Sequence, residues 1–294
     1  MTDRSVRLSD GVSLATRTSG TPTDAPPVVL LHGGPGLWDY LSPVAQVLSR
    51  HTIVHRYDQR GCGASDASDE QTLVRAIADL EELRVAFGHD RWVVLGHSYG
   101  ATLALLYASA HQESTAGLVY LSGVGIGDWR TATRAEIARR LSPTQARRLA
   151  HLESLPNRDR VREQEFRELS WFTDYADPIA GRAAAHEFAQ LDYPINQVAN
   201  RSLMRDVDAL GDAGLTAAAR SLRLPAFFVH GERDPRHWTY AHDLADLVDG
   251  ARWQLLSEAG HLPWVEQPVQ LASLLAGFVN DCTWNPDPSQ RQHC

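Results

Sequence analysis

The chain contains no lysine. All 28 basic residues among its 294 are arginine, which closes chemistry that needs an ε-amine: a pyridoxal phosphate Schiff base, the lysine of a phosphate-binding loop, and lysine-based aldol reactions. Cysteine is scarce too. Cys62, Cys282 and Cys294 are odd in number and far apart, without the spacing of about two to four residues that suits zinc. No metal site, disulfide or cofactor is therefore expected. No apolar stretch reaches the roughly 18 residues of a membrane span, and the start, MTDRSVRLSDGVSLATRTSG, lacks the apolar core of a signal peptide. A soluble, cytoplasmic protein is the expectation. A basic surface is missing as well: 36 acidic residues against 28 basic give a net charge of −8 and a pI near 5.9, which argues against nucleic acid or a membrane as partner. A small-molecule or short-peptide substrate fits better, and nothing in the sequence assigns an oligomeric state.

What is present is a core-forming chain, 43% hydrophobic, long enough for one large domain or a core with an insert. Short apolar runs at Pro27 to Leu31, Thr52 to Tyr57, Arg91 to Leu95, Gly117 to Leu121, Ala226 to Val229 and Arg252 to Leu256 alternate with helical patterns. That alternation predicts an α/β fold with a mostly parallel sheet and helices on both faces. Helices are expected over Thr72 to Phe87, Trp238 to Val248 and Val269 to Val279, and Asp10-Gly11 reads as the turn of an N-terminal hairpin.

The rhythm breaks after about Gly127, where the sequence turns helical and charged. One inserted helical lid explains this. The expected organisation is a core over 1–126, a lid over 127–207, the rest of the core over 208–282 and a flexible polar tail over 283–294. Between Arg130 and Arg167 ten arginines face five acids. A solvated helix surface with local ion pairs is one reading; attraction for an anionic substrate or partner is the other.

The strongest chemical signal is Gly96-His97-Ser98-Tyr99-Gly100, directly after a strand run and before a small-residue helix pattern. A serine at the apex of such a turn is forced outward, and the glycines allow the close backbone approach. Its hydroxyl is a weak nucleophile without a base and a site for the developing oxyanion. The glycine-rich turn His32 to Gly36 can supply one donor, so the expected oxyanion hole is the N–H groups of Gly34 and Tyr99. Acid and base should follow at the ends of later strands in the order acid, histidine. Asp234 and His261 meet that requirement, with Glu232 and Glu258 as rival acids. His32 comes too early in the chain for the base and is expected to brace its loop.

LLHGGPG (Leu30 to Gly36), YDQRGCGASD (Tyr57 to Asp66), GHSYGATLALLYA (Gly96 to Ala108), HGERD (His230 to Asp234) and AGH (Ala259 to His261) resemble the α/β-hydrolase fold, and within it the prolyl iminopeptidase branch of serine peptidases. The resemblance covers roughly residues 25 to 125 and 224 to 280. It implies Ser98, Asp234 and His261 as the catalytic set, Gly34 and Tyr99 as oxyanion donors, and Asp58 and Arg60 as supports of a loop in which Cys62 packs. The activity implied is release of an N-terminal residue from short peptides or amides, with esterase, lactonase or thioesterase action as the rival and a non-catalytic receptor as a third reading. The chain departs from that branch in two ways. His97 and Tyr99 flank the serine where the branch has glycine and tryptophan, and no lid Trp-Glu pair aligns for holding a free amino terminus. Asp174, Asp177 and Glu187, with Trp171, are the substrate-binding candidates, because a buried ammonium requires a carboxylate partner.

Overall fold

The computed structural model describes residues 2–282; the expected tail and Cys294 lie outside the described residues. The chain opens with β1 (Thr2–Arg7), β2 (Ser13–Ser19), β3 (Val28–Leu31), α1 (Ser42–Leu48), β4 (Val54–Tyr57) and α2 (Leu73–Ala86). It continues through β5 (Trp92–His97), α3 (Tyr99–Ala110) and β6 (Thr115–Leu121). An insert of helices follows: α4 (Trp129–Arg140), α5 (Pro143–Ser154), α6 (Arg160–Trp171), α7 (Pro178–Ala189) and α8 (Gln197–Ser221). The core resumes with β7 (Ala226–Gly231), α9 (Trp238–Ala245), β8 (Arg252–Leu256), α10 (Pro263–Glu266) and α11 (Pro268–Asp281).

The eight strands form one sheet in the order β1-β2-β4-β3-β5-β6-β7-β8. The first two pairings are antiparallel and the rest parallel. The expected hairpin is there, but Leu8 N–H reaches the Val12 carbonyl at 2.8 Å, so its turn encloses three residues. All six apolar runs are strands. Their side chains alternate between two cores: Val29, Leu31, Val94, Tyr120 and Phe228 join the layer of α2, α3 and α9, while Val28, Leu30, Val93, Leu95 and Val119 join that of α1 and α11. Because both faces are covered, the strands read as unbroken apolar runs.

Helices α4 to α8 lie between β6 and β7, and α8 runs across positions 207 and 208. That helix keeps its apolar spacing from Leu203 and Val207, which pack near Tyr99, to Leu215 and Ala219 in the main core. At Gly211, with φ 60° and ψ −174°, the backbone leaves helical geometry and α8 kinks, while the apolar spacing runs on across the kink. The arginines of α4 to α6 are mostly tied to nearby acids. Arg139 and Arg140 share Glu136, Arg158 and Arg167 share Glu163, Arg148 meets Glu165, Arg162 meets Asp159 and Arg130 meets Asp208. This is the local ion-pair pattern.

Candidate active site

Ser98 stands between β5 and α3 with φ 58° and ψ −123°, a conformation that side chains rarely adopt. The turn is tight enough to need its glycines. A Cβ on Gly96 would lie 1.9 Å from the Gly100 carbonyl oxygen, and one on Gly100 would lie 2.2 Å from that of Leu31. Ser98 is thereby held at the carboxyl ends of the central strands, half-buried and facing a cavity of about 260 Å³. Gly34, Tyr40, His97 and His261 line the same cavity, joined by Trp171, Asp174, Tyr175 and Phe188 from the insert and by Arg236. The Ser98 hydroxyl has no hydrogen-bond partner among the described residues.

The structure brings Asp234 and His261 together. Asp234 follows β7, His261 follows β8, and Asp234 Oδ2 lies 2.6 Å from His261 Nδ1. The other carboxylate oxygen accepts the Arg236 N–H at 2.8 Å. His230 adds its Nε2 at 3.3 Å from Oδ2. Burial by itself raises the Asp234 pKa, but the neighbouring His261 and the hydrogen bonds from His230 and His261 hold it well below the usual carboxylate value. Asp234 thus engages the imidazole through Nδ1, which leaves Nε2 on the opposite side of the ring from the carboxylate. Glu232 and Glu258 are exposed and take no part in this pair.

Gly34 lines the cavity, and Tyr99, as the first residue of α3, has no carbonyl one turn before it to engage its N–H. His32 braces its loop. One ring nitrogen meets the Gly33 carbonyl at 2.9 Å and the other accepts the Gln59 N–H at 3.0 Å. Asp58 accepts from Arg17, the Asp39 N–H and the Ala64 N–H, Arg60 is forked onto Asp79, and Cys62 is buried. Asp58 and Arg60 thus tie the loop to its surroundings, and Cys62 is packed inside it.

The substrate-binding candidates divide. Trp171 and Asp174 line the cavity. Asp177 does not: it is exposed and caps α7 by accepting from the Ile179 and Ala180 N–H groups. Glu187 is also exposed and outside the cavity, on the far side of α7 from buried Ala185 and Ala189. Asp174 carries its carboxylate against the guanidinium of Arg236.

Several residues at the site have no sequence motif. Glu266 accepts from Ala176 N–H at 2.7 Å, Asp177 N–H at 3.1 Å and Gly260 N–H at 2.6 Å, tying the insert to the His261 loop. Arg140 donates to the carbonyls of Thr173, Tyr175 and Arg233, which ties it to the Asp234 loop. Tyr40 reaches the cavity from the loop after β3. Arg236, two residues past Asp234, offered the one available hint: a cation beside the proposed acid. Among the described residues, no group of three or more His, Cys, Asp or Glu is arranged to hold a metal, and no helix is long and apolar enough to cross a membrane.

The sequence profile of the alpha/beta hydrolase fold family matches residues 26–268. A proline iminopeptidase of Lactobacillus delbrueckii subsp. bulgaricus is 26% identical over 281 residues, covering 90% of this chain and 92% of the relative. Among solved structures, a proline iminopeptidase from Mycobacterium smegmatis aligns with a TM-score of 0.71 at 18% identity, over 96% of this chain and 99% of the other. A thermophilic esterase from Thermogutta terrifontis aligns with a TM-score of 0.72 at 20% identity, over 97% of this chain and 100% of the other. At such identities the structural likeness speaks for the fold alone.

Proposed function

Because the chain belongs to the α/β-hydrolase fold family, we propose that it is a serine hydrolase working through an acyl-enzyme. The observation that carries this reading is the 2.6 Å contact of buried Asp234 with His261, a residue that lines the cavity Ser98 faces from its strained turn. In the reaction, Ser98 Oγ attacks a carbonyl carbon while His261 Nε2 takes the hydroxyl proton, and Asp234 stabilises the resulting imidazolium. The N–H groups of Gly34 and Tyr99 receive the developing oxyanion. The tetrahedral adduct collapses, and His261 returns the proton to the leaving group. Water, deprotonated by the same imidazole, then releases the acyl group and regenerates Ser98.

For the substrate, the first reading is an aminopeptidase that releases an N-terminal residue from short peptides or amides, with proline as the first candidate. Its support is the likeness to the Lactobacillus proline iminopeptidase along nearly the whole of both chains. The aromatic walls, Tyr40, Trp171, Tyr175 and Phe188, suit a small apolar ring, and Asp174 from the lid helices is the carboxylate available to its ammonium. The second reading is an esterase or lactonase on an uncharged acyl group. It is favoured by the pairing of Asp174 with Arg236, which leaves no unpaired carboxylate among the described residues that line the pocket. The two separate on matched 4-nitroanilides and 4-nitrophenyl esters of proline and of cyclopentanecarboxylic acid, its ring analogue without the nitrogen. Preference for the prolyl compounds supports the aminopeptidase, and preference for the carbocyclic ones supports the alternative. Failure of every substrate, with no labelling of Ser98 by a fluorophosphonate, removes the hydrolase reading itself.

A further inference from the structure

Three hydrogen bonds, one buried and two part-buried, cross the cavity floor, and the reaction described above uses none of them. Gly33 N–H donates to Tyr40 Oη at 2.8 Å, Tyr40 Oη lies 2.7 Å from His97 Nδ1, and His97 Nε2 lies 2.8 Å from the His261 carbonyl oxygen. With His97 neutral, the two ends fix every proton between them. A backbone N–H only donates, so Tyr40 accepts there and sends its own proton to His97 Nδ1. A carbonyl only accepts, so His97 Nε2 must carry the hydrogen. One neutral tautomer of His97 satisfies the chain. A second proton on Nδ1 would leave the Tyr40 hydroxyl hydrogen without its acceptor.

We infer that Tyr40 and His97 are positioning residues: a proton-ordered strut that joins the Gly33-Gly34 loop, the nucleophile turn and the His261 main chain, and that keeps a second imidazole uncharged beside the base. The inference rests on the serine-hydrolase reading but on neither substrate class. The joined segments carry the proposed oxyanion donor Gly34, the nucleophile Ser98 and the base His261. His261 is also gripped from the other side, where its N–H donates to the Asp174 carbonyl at 2.7 Å. The main chain of the base is thus pinned at both its polar groups. The charged or titratable groups facing His97 are His261, with ring centroids 4.6 Å apart, Tyr40, Asp234 and Arg236. Phe188 packs on the Tyr40 ring, and Trp264 on both rings. Burial, then the proximity of His261, holds the His97 pKa well below that of a free histidine, in agreement with the proton order. A cation at His97 would oppose the charge that His261 acquires as it takes the serine proton.

The test compares wild type with Tyr40→Phe, His97→Phe and His97→Gln. The readouts are the rate of Ser98 labelling by a fluorophosphonate and kcat and KM on 4-nitrophenyl acetate, all measured well below each variant's Tm. Misplacement of reacting groups by about 1 Å costs on the order of 100-fold. His97→Phe should therefore lower kcat and the labelling rate by about 10- to 100-fold with little change in KM, and Tyr40→Phe by a smaller factor. His97→Gln, whose amide can still donate to the His261 carbonyl, should recover most of the loss. Unchanged kcat in both His97→Phe and Tyr40→Phe overturns the inference, as does a His97→Gln variant no better than His97→Phe. If His97→Phe does not fold, Tyr40→Phe and His97→Gln decide, the first by a fall in kcat and the second by near-wild-type kcat; the opposite pattern overturns the inference. A wild-type enzyme that neither labels nor turns over ester brings down the hydrolase reading, and the inference with it. An active wild type with unaffected variants brings down the inference alone.

Discussion

Asp174 and Arg236 meet inside the cavity, so the single carboxylate among the described lining residues is already paired. Arg236 is in turn fixed by its own N–H on Asp234 at 2.8 Å. A substrate ammonium must therefore share or displace a guanidinium to reach Asp174, whereas an uncharged acyl group need not.

This relationship makes the Asp174→Asn variant informative. If the ammonium of a prolyl substrate binds there, losing a charged hydrogen bond worth about 1.5–3 kcal/mol should raise KM for prolyl 4-nitroanilide by about 10- to 100-fold. KM for cyclopentanecarbonyl 4-nitrophenyl ester should change little. Equal effects on both substrates would confine Asp174 to a structural role.

Ser98 is predicted to trade stability for reactivity. Ser98→Ala should lower turnover by about 10³-fold or more while leaving circular dichroism unchanged. Ser98→Gly should be equally inactive yet more stable, since a strained non-glycine residue costs about 1–3 kcal/mol, partly offset by the backbone entropy of glycine. A gain of about 1 kcal/mol in urea unfolding is the expected outcome. A clear loss would mean that the serine is not strained.

Stability should decline on mild acidification. Burial, and then the neighbouring His89, push the His55 pKa down to about 3; its ring nitrogens meet Thr18 Oγ1 at 2.9 Å and His89 Nε2 at 2.8 Å. His32, His89 and His97 are likewise lowered, each chiefly by burial. A histidine whose folded pKa lies below the unfolded value of about 6.5 lets the unfolded chain bind the proton first. The fold is thus fully stable above that pH and loses up to about 1.4 kcal/mol per pH unit for each such group as pH falls towards the folded value. Asp234 has a depressed folded pKa, so its contribution persists down to about pH 4 and is lost only as pH falls through that depressed value. Denaturant unfolding between pH 8 and 4 should show the decline, with a shallower slope in His55→Gln. A stability independent of pH between 6.5 and 4.5 would contradict it.

Glu266 should matter beyond its distance from the chemistry. Glutamine at this position keeps one acceptor oxygen for three N–H groups, leaving at least one unsatisfied at a cost of about 1–3 kcal/mol. Glu266→Gln is expected to lower Tm and also kcat, because Gly260 precedes His261, the proposed base, and the other two N–H groups belong to the insert. A lower Tm with wild-type kcat would limit Glu266 to holding the fold.

The core and the Ser98 turn were legible because their physics is local. Doubly covered strands must be apolar at every position, and a serine turned outward between strand and helix needs small neighbours on both sides. Asp234 and His261 were legible from their places after β7 and β8. The pocket walls were not, since they depend on how α6 and α7 settle over the sheet. Asp177, in the same segment as Asp174, turned out to cap α7, and Glu187 to face outward. A helix cap and a ligand-binding carboxylate look alike in a sequence. Tyr40, Arg236 and Glu266 act through contacts with distant backbone or side chains, and no spacing announces these.

The proposed acyl-enzyme is tested most directly by acid-quenched mass spectrometry during turnover of 4-nitrophenyl acetate. The chain has no lysine, so no ε-amine competes for the acetyl group. One acetyl group should appear on the peptide that contains Ser98, be absent in Ser98→Ala, and form far more slowly in His261→Ala. Turnover with the acetyl group on another residue, or undiminished in Ser98→Ala, would contradict the account.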